Sequence, residues 1–275
     1  MLKQRVITVL WLLPLVTVAA WFDEPWPWFT IVVAPFGLLA VFEFYRTVAT
    51  KRIQPLTFLG LIWTLLFILS PHFPYFDYGV TTSLLLTSLV VLSLIWLLWR
   101  PQKEGAFAGW AWTIAGVVYV GWLLSFLVAL RGLDAGRYWV FLTLFIIFAS
   151  DTTAYFVGRA WGKRRLALRI SPGKTWEGAV AGVVGAIIIG LALVKLFDLP
   201  LSYGQAILLG LLVSVFGQFG DLVESLFKRN MGIKESGKLL PGHGGILDRI
   251  DSIIFAGVVV YYYALSYQAG WLNWL

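Results

Sequence analysis

Residues 221–251 read DLVESLFKRNMGIKESGKLLPGHGGILDRID, with apolar sequence on both sides. The stretch holds five of the chain's fourteen acids, three lysines, two arginines, one of two histidines and a Pro-Gly-His-Gly-Gly turn at 241–245. The runs that flank it, near 203–227 and 247–269, are each long enough to cross a bilayer, which takes about 17–25 residues. A charged, glycine-broken segment between two such runs is costly unless it has a use. It reads as a polar loop joining two membrane helices, with carboxylates and basic groups gathered at one membrane surface.

Working outward, further apolar runs lie near 5–22, 28–46, 56–72, 79–99, 107–130, 138–158 and 176–197. With the two above, they predict an all-α polytopic membrane protein of about nine transmembrane helices. A composition that is 60% hydrophobic and 13% charged, with a mean hydropathy of +0.83, excludes a soluble domain. Pro25, Pro27, Pro55, Pro71, Pro74, Pro101, Gly132, Gly136, Pro172, Gly173 and Pro200 mark the breaks. Trp21, Trp26, Trp28, Trp96, Trp99, Trp110, Trp271 and Trp274 gather near span ends, as interfacial aromatics do. Lys3 and Arg5 before an apolar run imitate a signal peptide, but the spans that follow make it a first helix.

With the N-terminus cytoplasmic, eighteen of the 21 basic residues fall on the inner face and only Arg131, Arg137 and Lys195 on the other. That places the C-terminus outside and the 159–174 and 228–249 loops together on the cytoplasmic side. The net charge of +7 is then topological, and no nucleic-acid partner is expected. The absence of cysteine removes disulfides and thiolate metal sites, and two histidines argue against zinc. Gly178, Gly182, Gly185 and Gly190 suggest close helix packing. The expected organisation is a single integral membrane domain. Within it, 1–136 is a helical scaffold whose one acid well inside a span is Glu43, and 137–275 is a catalytic half with its polar site on the cytoplasmic side.

Asp221, Glu224, Ser225 and Lys228 fall at i, i+3, i+4 and i+7, so they share one helix face. Asp248 and Asp251 are one turn apart at the start of the next span. Two antiparallel helices would present these carboxylates at one depth, as hard divalent cations require. Read alone, Glu224 and Lys228 are also an ordinary i,i+4 pair, and Asp248 could cap its helix. Lys228, Arg229, Lys234 and Lys238 precede the glycine turn, where exposed amides and basic groups suit phosphate. Ser171–Gly178, SPGKTWEG, contains Gly-Lys-Thr, but a nucleotide-binding P-loop would need glycine at 168, which is leucine. Lys174 could still meet a phosphate, while Thr175 and Glu177 could cap a helix. Asp151 is an acid inside a span, either functional or a counter-charge for Arg159 or Lys174.

The run SLFKRNMGIKESGKLLPGHGGILDRID resembles the signature of the phosphatidate cytidylyltransferases, or CDP-diacylglycerol synthases. Ser225, Lys228, Arg229, Lys234, Gly237, Leu240, Pro241, His243, Gly244, Gly245, Asp248, Arg249 and Asp251 fall on that pattern without a gap. It departs at Glu235, where the family normally has aspartate. The preceding GDLVES, the SPGKTWEG segment and the Asp151–Tyr155–Gly158 stretch share the likeness. The resemblance implies transfer of CMP from CTP to phosphatidic acid, giving CDP-diacylglycerol and diphosphate. It also implies a Mg²⁺ requirement, with a second cation left open, and a homodimer in a bacterial inner membrane with its active site on the cytoplasmic side. Asp221 and Asp248 are then the expected metal ligands, supported by Asp251 and Glu224. Lys228, Arg229, Lys234, Lys174 and Arg249 would bind phosphates, with Ser225, Glu177 and Asp151 among the substrate-binding groups. His243, Gly244 and Gly245 would shape the phosphate pocket. The rival readings are a CTP-dependent lipid-alcohol kinase, which would release CDP, and a transporter. Against a transporter, the acids cluster at one face and no repeat-related pair of broken helices is visible.

Overall fold

The computed structural model describes residues 14–22, 27–73, 77–99, 104–237, 239 and 244–274. Residues 14–21 are helical. They are followed by α1 (Trp28–Ala49), α2 (Thr57–Leu69, prolonged by a 3-10 turn Ser70–His72), α3 (Tyr78–Leu98) and α4 (Ala106–Arg131). Then come α5 (Gly136–Trp161), a hairpin of β1 (Arg165–Ala167) and β2 (Ser171–Thr175), α6 (Trp176–Leu196), α7 (Tyr203–Met231) and α8 (Leu247–Gln268). Among the described residues seven helices, α1 and α3 to α8, are long and apolar enough to cross a membrane. The protein is therefore an all-α polytopic membrane protein. Most of the expected first span, 5–22, lies outside the described residues. The expected span 56–72 is helical over Thr57–His72 but short, about 24 Å at the usual rise per residue. Pro71 sits in the 3-10 turn at its end, where a ring without an N–H stops regular helix.

The chain divides into two compact units, one of 1–132 with 231–249 and the other of 133–230 with 250–275. In the first unit the buried ring of Tyr45 on α1 is the packing centre. A Cβ at Gly60 on α2 or at Gly116 on α4 would run into that ring, so three helices close on one tyrosine only because two of them carry hydrogen there. Tyr45 donates its hydroxyl to the Thr113 carbonyl at 2.8 Å, and Thr113 Oγ1 accepts the Leu56 N–H at 2.7 Å. In α4 the helix widens to a π segment over Val117–Trp122, and there Gly121 lies against the backbone of Thr64.

In the second unit α5 and α6 pack along a line of small residues. A Cβ on Gly178 would stand 2.7 Å from the Ala154 carbonyl oxygen, and one on Gly182 would stand 3.1 Å from that of Ser150. Gly185 meets Thr153 in the same way, and Gly210 brings α7 onto Ile187 of α6. The close packing expected from these α6 glycines is thus present, with backbone nearly touching backbone.

The hairpin between α5 and α6 was not expected. Its strands pair antiparallel, Arg165 opposite Thr175 and Ala167 opposite Ser171, with an irregular register between. Strands of three and five residues are too short to show alternation in a sequence. Thr175 ends β2 and caps α6, its hydroxyl accepting the Gly178 N–H at 3.2 Å.

Candidate active site

α7 has 29 residues, about 43 Å of helix, so it outruns a hydrocarbon core of about 30 Å. Its last turns carry the charged face expected from the i, i+3, i+4, i+7 spacing. Ser225 Oγ donates to Asp221 Oδ1 at 3.3 Å, and Lys174 Nζ at the end of the hairpin meets Asp221 Oδ2 at 2.8 Å. The Lys174 ammonium also reaches the Gln218 carbonyl at 3.5 Å. One turn along, Glu224 is fully buried and ion-paired with Lys228. The pairing suggested by their spacing is therefore real, and it holds the lysine in place. Arg229 donates through Nε to the Ile170 carbonyl at 3.1 Å, tying the end of α7 to the hairpin turn.

Asp251 on α8 is only 7% exposed and accepts the Ser252 N–H at 2.8 Å. Its electrostatic neighbours are Asp221, Asp151 and Lys228. Gly220 accounts for this closeness, because a Cβ there would collide with the Asp251 backbone carbonyl. Lys174 on Asp221 and Lys228 near Asp251 set positive charge beside these carboxylates, which offsets the repulsion of like charges in low dielectric. Glu177 accepts the backbone N–H groups of Lys163 at 3.1 Å and Arg164 at 3.2 Å. Arg159 donates to the Tyr155 hydroxyl at 2.9 Å.

In the first unit Asp248, in the opening turn of α8, has a different setting. Its Oδ2 accepts the Gly245 N–H at 2.8 Å, and the N–H and hydroxyl of Ser236 at 3.0 Å each. These bonds tie residues 236 and 245, which precede α8, to its first turn. Glu43 lies behind this turn, 3% exposed, with Oε2 accepting the Leu247 N–H at 3.0 Å and the Ser236 hydroxyl at 3.2 Å. Gly244 has a φ of +83°, and a Cβ there would stand 2.8 Å from Asp248 Oδ2. Lys234 and Glu235 are exposed. His243 and Pro241 lie outside the described residues.

The donors at hand are carboxylate oxygens, which suit a hard cation such as Mg²⁺. Among the described residues no group of three or more His, Asp or Glu side chains forms a ready cage. A cation bound here would draw remaining ligands from water and substrate phosphates, as Mg²⁺ ordinarily does.

A family model described as "Cytidylyltransferase family" matches residues 3–267. The chain belongs to the cytidylyltransferase family. Similar members include the phosphatidate cytidylyltransferase of Bacillus subtilis (strain 168), 34% identical over 235 residues, which are 85% of this chain and 87% of that one. That of Brucella abortus is 36% identical over 234 residues, 85% of this chain and 83% of the other. Phosphatidate cytidylyltransferase 5, chloroplastic, of Arabidopsis thaliana is 37% identical over 266 residues, 85% of this chain and 65% of the other.

In this cytidylyltransferase, sequence reasoning overlooked Gly220, Ser236 and the partners of Glu43. An acid inside an apolar span is by itself a signal of function, so Glu43 was detectable. Its partners, about two hundred residues further on, were not.

Proposed function

We propose that this chain is a phosphatidate cytidylyltransferase, joining CMP from CTP to phosphatidic acid and releasing diphosphate. The observation that carries the reading is Asp221 held between Lys174 and Ser225, with Asp251 and Lys228 beside it, in a member of this family. A phosphate oxygen of phosphatidate attacks the α-phosphorus of CTP in line. The bond from that phosphorus to the oxygen bridging the β-phosphate breaks, and diphosphate leaves with the electron pair. A phosphomonoester is largely ionised near neutral pH, so no strong general base is needed. The difficulty is bringing two anions together, which positive groups in a preorganised site offset.

Asp221 and Asp248 are assigned as the metal ligands, with Asp251 and Glu224 in support; bound Mg²⁺ would supply charge neutralisation at the phosphates. Lys174, Lys228, Arg229, Lys234 and Arg249 take phosphate oxygens of either substrate. Ser225, Asp151, Glu177, His243, Gly244 and Gly245 orient them. The positive-inside count supports a cytoplasmic N-terminus, nine spans and a site at the inner face of a bacterial membrane, where the acyl chains stay in lipid while the headgroup reaches the charged cluster. A homodimer completes the proposal.

The test supplies purified protein with α-labelled CTP, phosphatidate and Mg²⁺. Labelled CDP-diacylglycerol and diphosphate in equal amounts are expected. CDP as the nucleotide product, with label absent from lipid, overturns the proposal in favour of a kinase.

A further inference from the structure

Glu43 belongs to none of the groups assigned above, yet it is a carboxylate 3% exposed inside a 22-residue apolar helix. A buried charge there is expensive and persists where it is bonded to something that matters. Its described bonds all go to the segment around Asp248. Oε2 accepts the Leu247 N–H, which lies in the first turn of α8 where helix amides lack intrahelical partners. The same oxygen accepts the Ser236 hydroxyl, and Ser236 in turn donates to Asp248 Oδ2. A hydroxyl carries one proton, so Ser236 serves one of the two carboxylates at a time and couples them.

The surroundings are built to this shape. A Cβ on Gly237 would collide with Glu43 Oε1, and one on Gly245 with Glu43 Oε2 and Ser236 Oγ. Thr47, one turn along α1 from Glu43, donates to the Ser236 carbonyl at 3.5 Å. Two glycines, a serine and a helix amide thus close on one buried carboxylate.

We propose that Glu43 is a positioning residue for Asp248. Acting through Ser236 and the Leu247 amide, it fixes the start of α8 and the direction of the Asp248 carboxylate, and it touches no reacting atom. The inference rests on the cytidylyltransferase reading for its catalytic consequence, but not for its structural one.

Three variants test it: Glu43→Ala, Glu43→Gln and Ser236→Ala. Glutamine keeps one acceptor oxygen for the Leu247 N–H, while the charge is lost and the second oxygen becomes an NH₂ group. Hydrogen exchange of the 244–249 amides is measured without substrate, together with kcat and KM for CTP. Glu43→Ala is expected to speed exchange of these amides at least about tenfold, as an opened turn does. It should lower kcat about 10²-fold with KM for CTP little changed, the pattern of a misplaced group. Glu43→Gln should hold exchange and kcat within about threefold of the parent, and Ser236→Ala should fall between.

Unchanged exchange in Glu43→Ala, or a loss in Glu43→Gln equal to that of alanine, overturns the proposal. If Glu43→Ala does not fold, the other two variants decide: Ser236→Ala with parental exchange and kcat overturns it as well. Should the parent protein make no CDP-lipid, the cytidylyltransferase reading fails, while the exchange arm still tests whether Glu43 holds the start of α8.

Discussion

At the scale of single residues, the two lysines of the charged cluster have different settings and should respond differently to removal. Lys174 and Asp221 are partly exposed, at 25% and 35% of their side-chain surface. Such a pair contributes about 0–1 kcal/mol to stability. Asp221→Asn should therefore fold and melt almost as the parent does, while CDP-lipid formation falls by about 10²–10³-fold if Asp221 holds the cation. A melting curve and a product assay on the same preparation check this, and parental turnover removes Asp221 from the chemistry. Lys228 faces a fully buried Glu224. Lys228→Ala leaves that carboxylate without its ion-pair partner, a change that costs about 3–5 kcal/mol. Its effect on turnover is thus mixed with unfolding. Adding Glu224→Gln should restore much of the melting temperature without restoring activity, and restoration of both would make the pair purely structural.

At the scale of elements, the approach of α7 to α8 depends on Gly220. Valine there would push against the Asp251 carbonyl and against Ser252 Cα, where even a Cβ stands at 3.2 Å. Overpacking of this kind costs about 1–3 kcal/mol. Gly220→Val should lower the unfolding temperature and depress turnover by more than the stability loss explains, because Asp221 and Asp251 move apart; a melting curve paired with kcat separates the two. Much at this scale was legible in the sequence. The shared face of Asp221, Ser225 and Lys228 follows from helical period alone, and Thr175 before an apolar run reads as a cap. The α6 glycines announced their close packing for the same reason: spacing within one helix is local information. The hairpin escaped notice because its strands are shorter than the pattern that reveals strands. The pairing of Glu43 with Ser236 was opaque in a deeper way, since a hydrogen bond across 193 positions leaves no trace in either local neighbourhood.

At the scale of the whole molecule, seven long apolar helices fix the environment as a bilayer. α2 is the exception, with sixteen helical residues from Thr57 to His72 and outward-facing Phe58 and Ile62 at 79% and 39% exposure. If it spans, it falls about 6 Å short of a typical hydrocarbon thickness. Lipid alongside it must then thin or bend, at a fraction of a kcal/mol for each ångström. Reconstitution into nanodiscs of increasing acyl length should show a melting temperature that falls once the bilayer is thicker than α2 can match, and a flat profile would mean that α2 does not span. If α2 spans, a thicker membrane would load the unit that holds Glu43 and Ser236, making local bilayer depth a physical input to its stability.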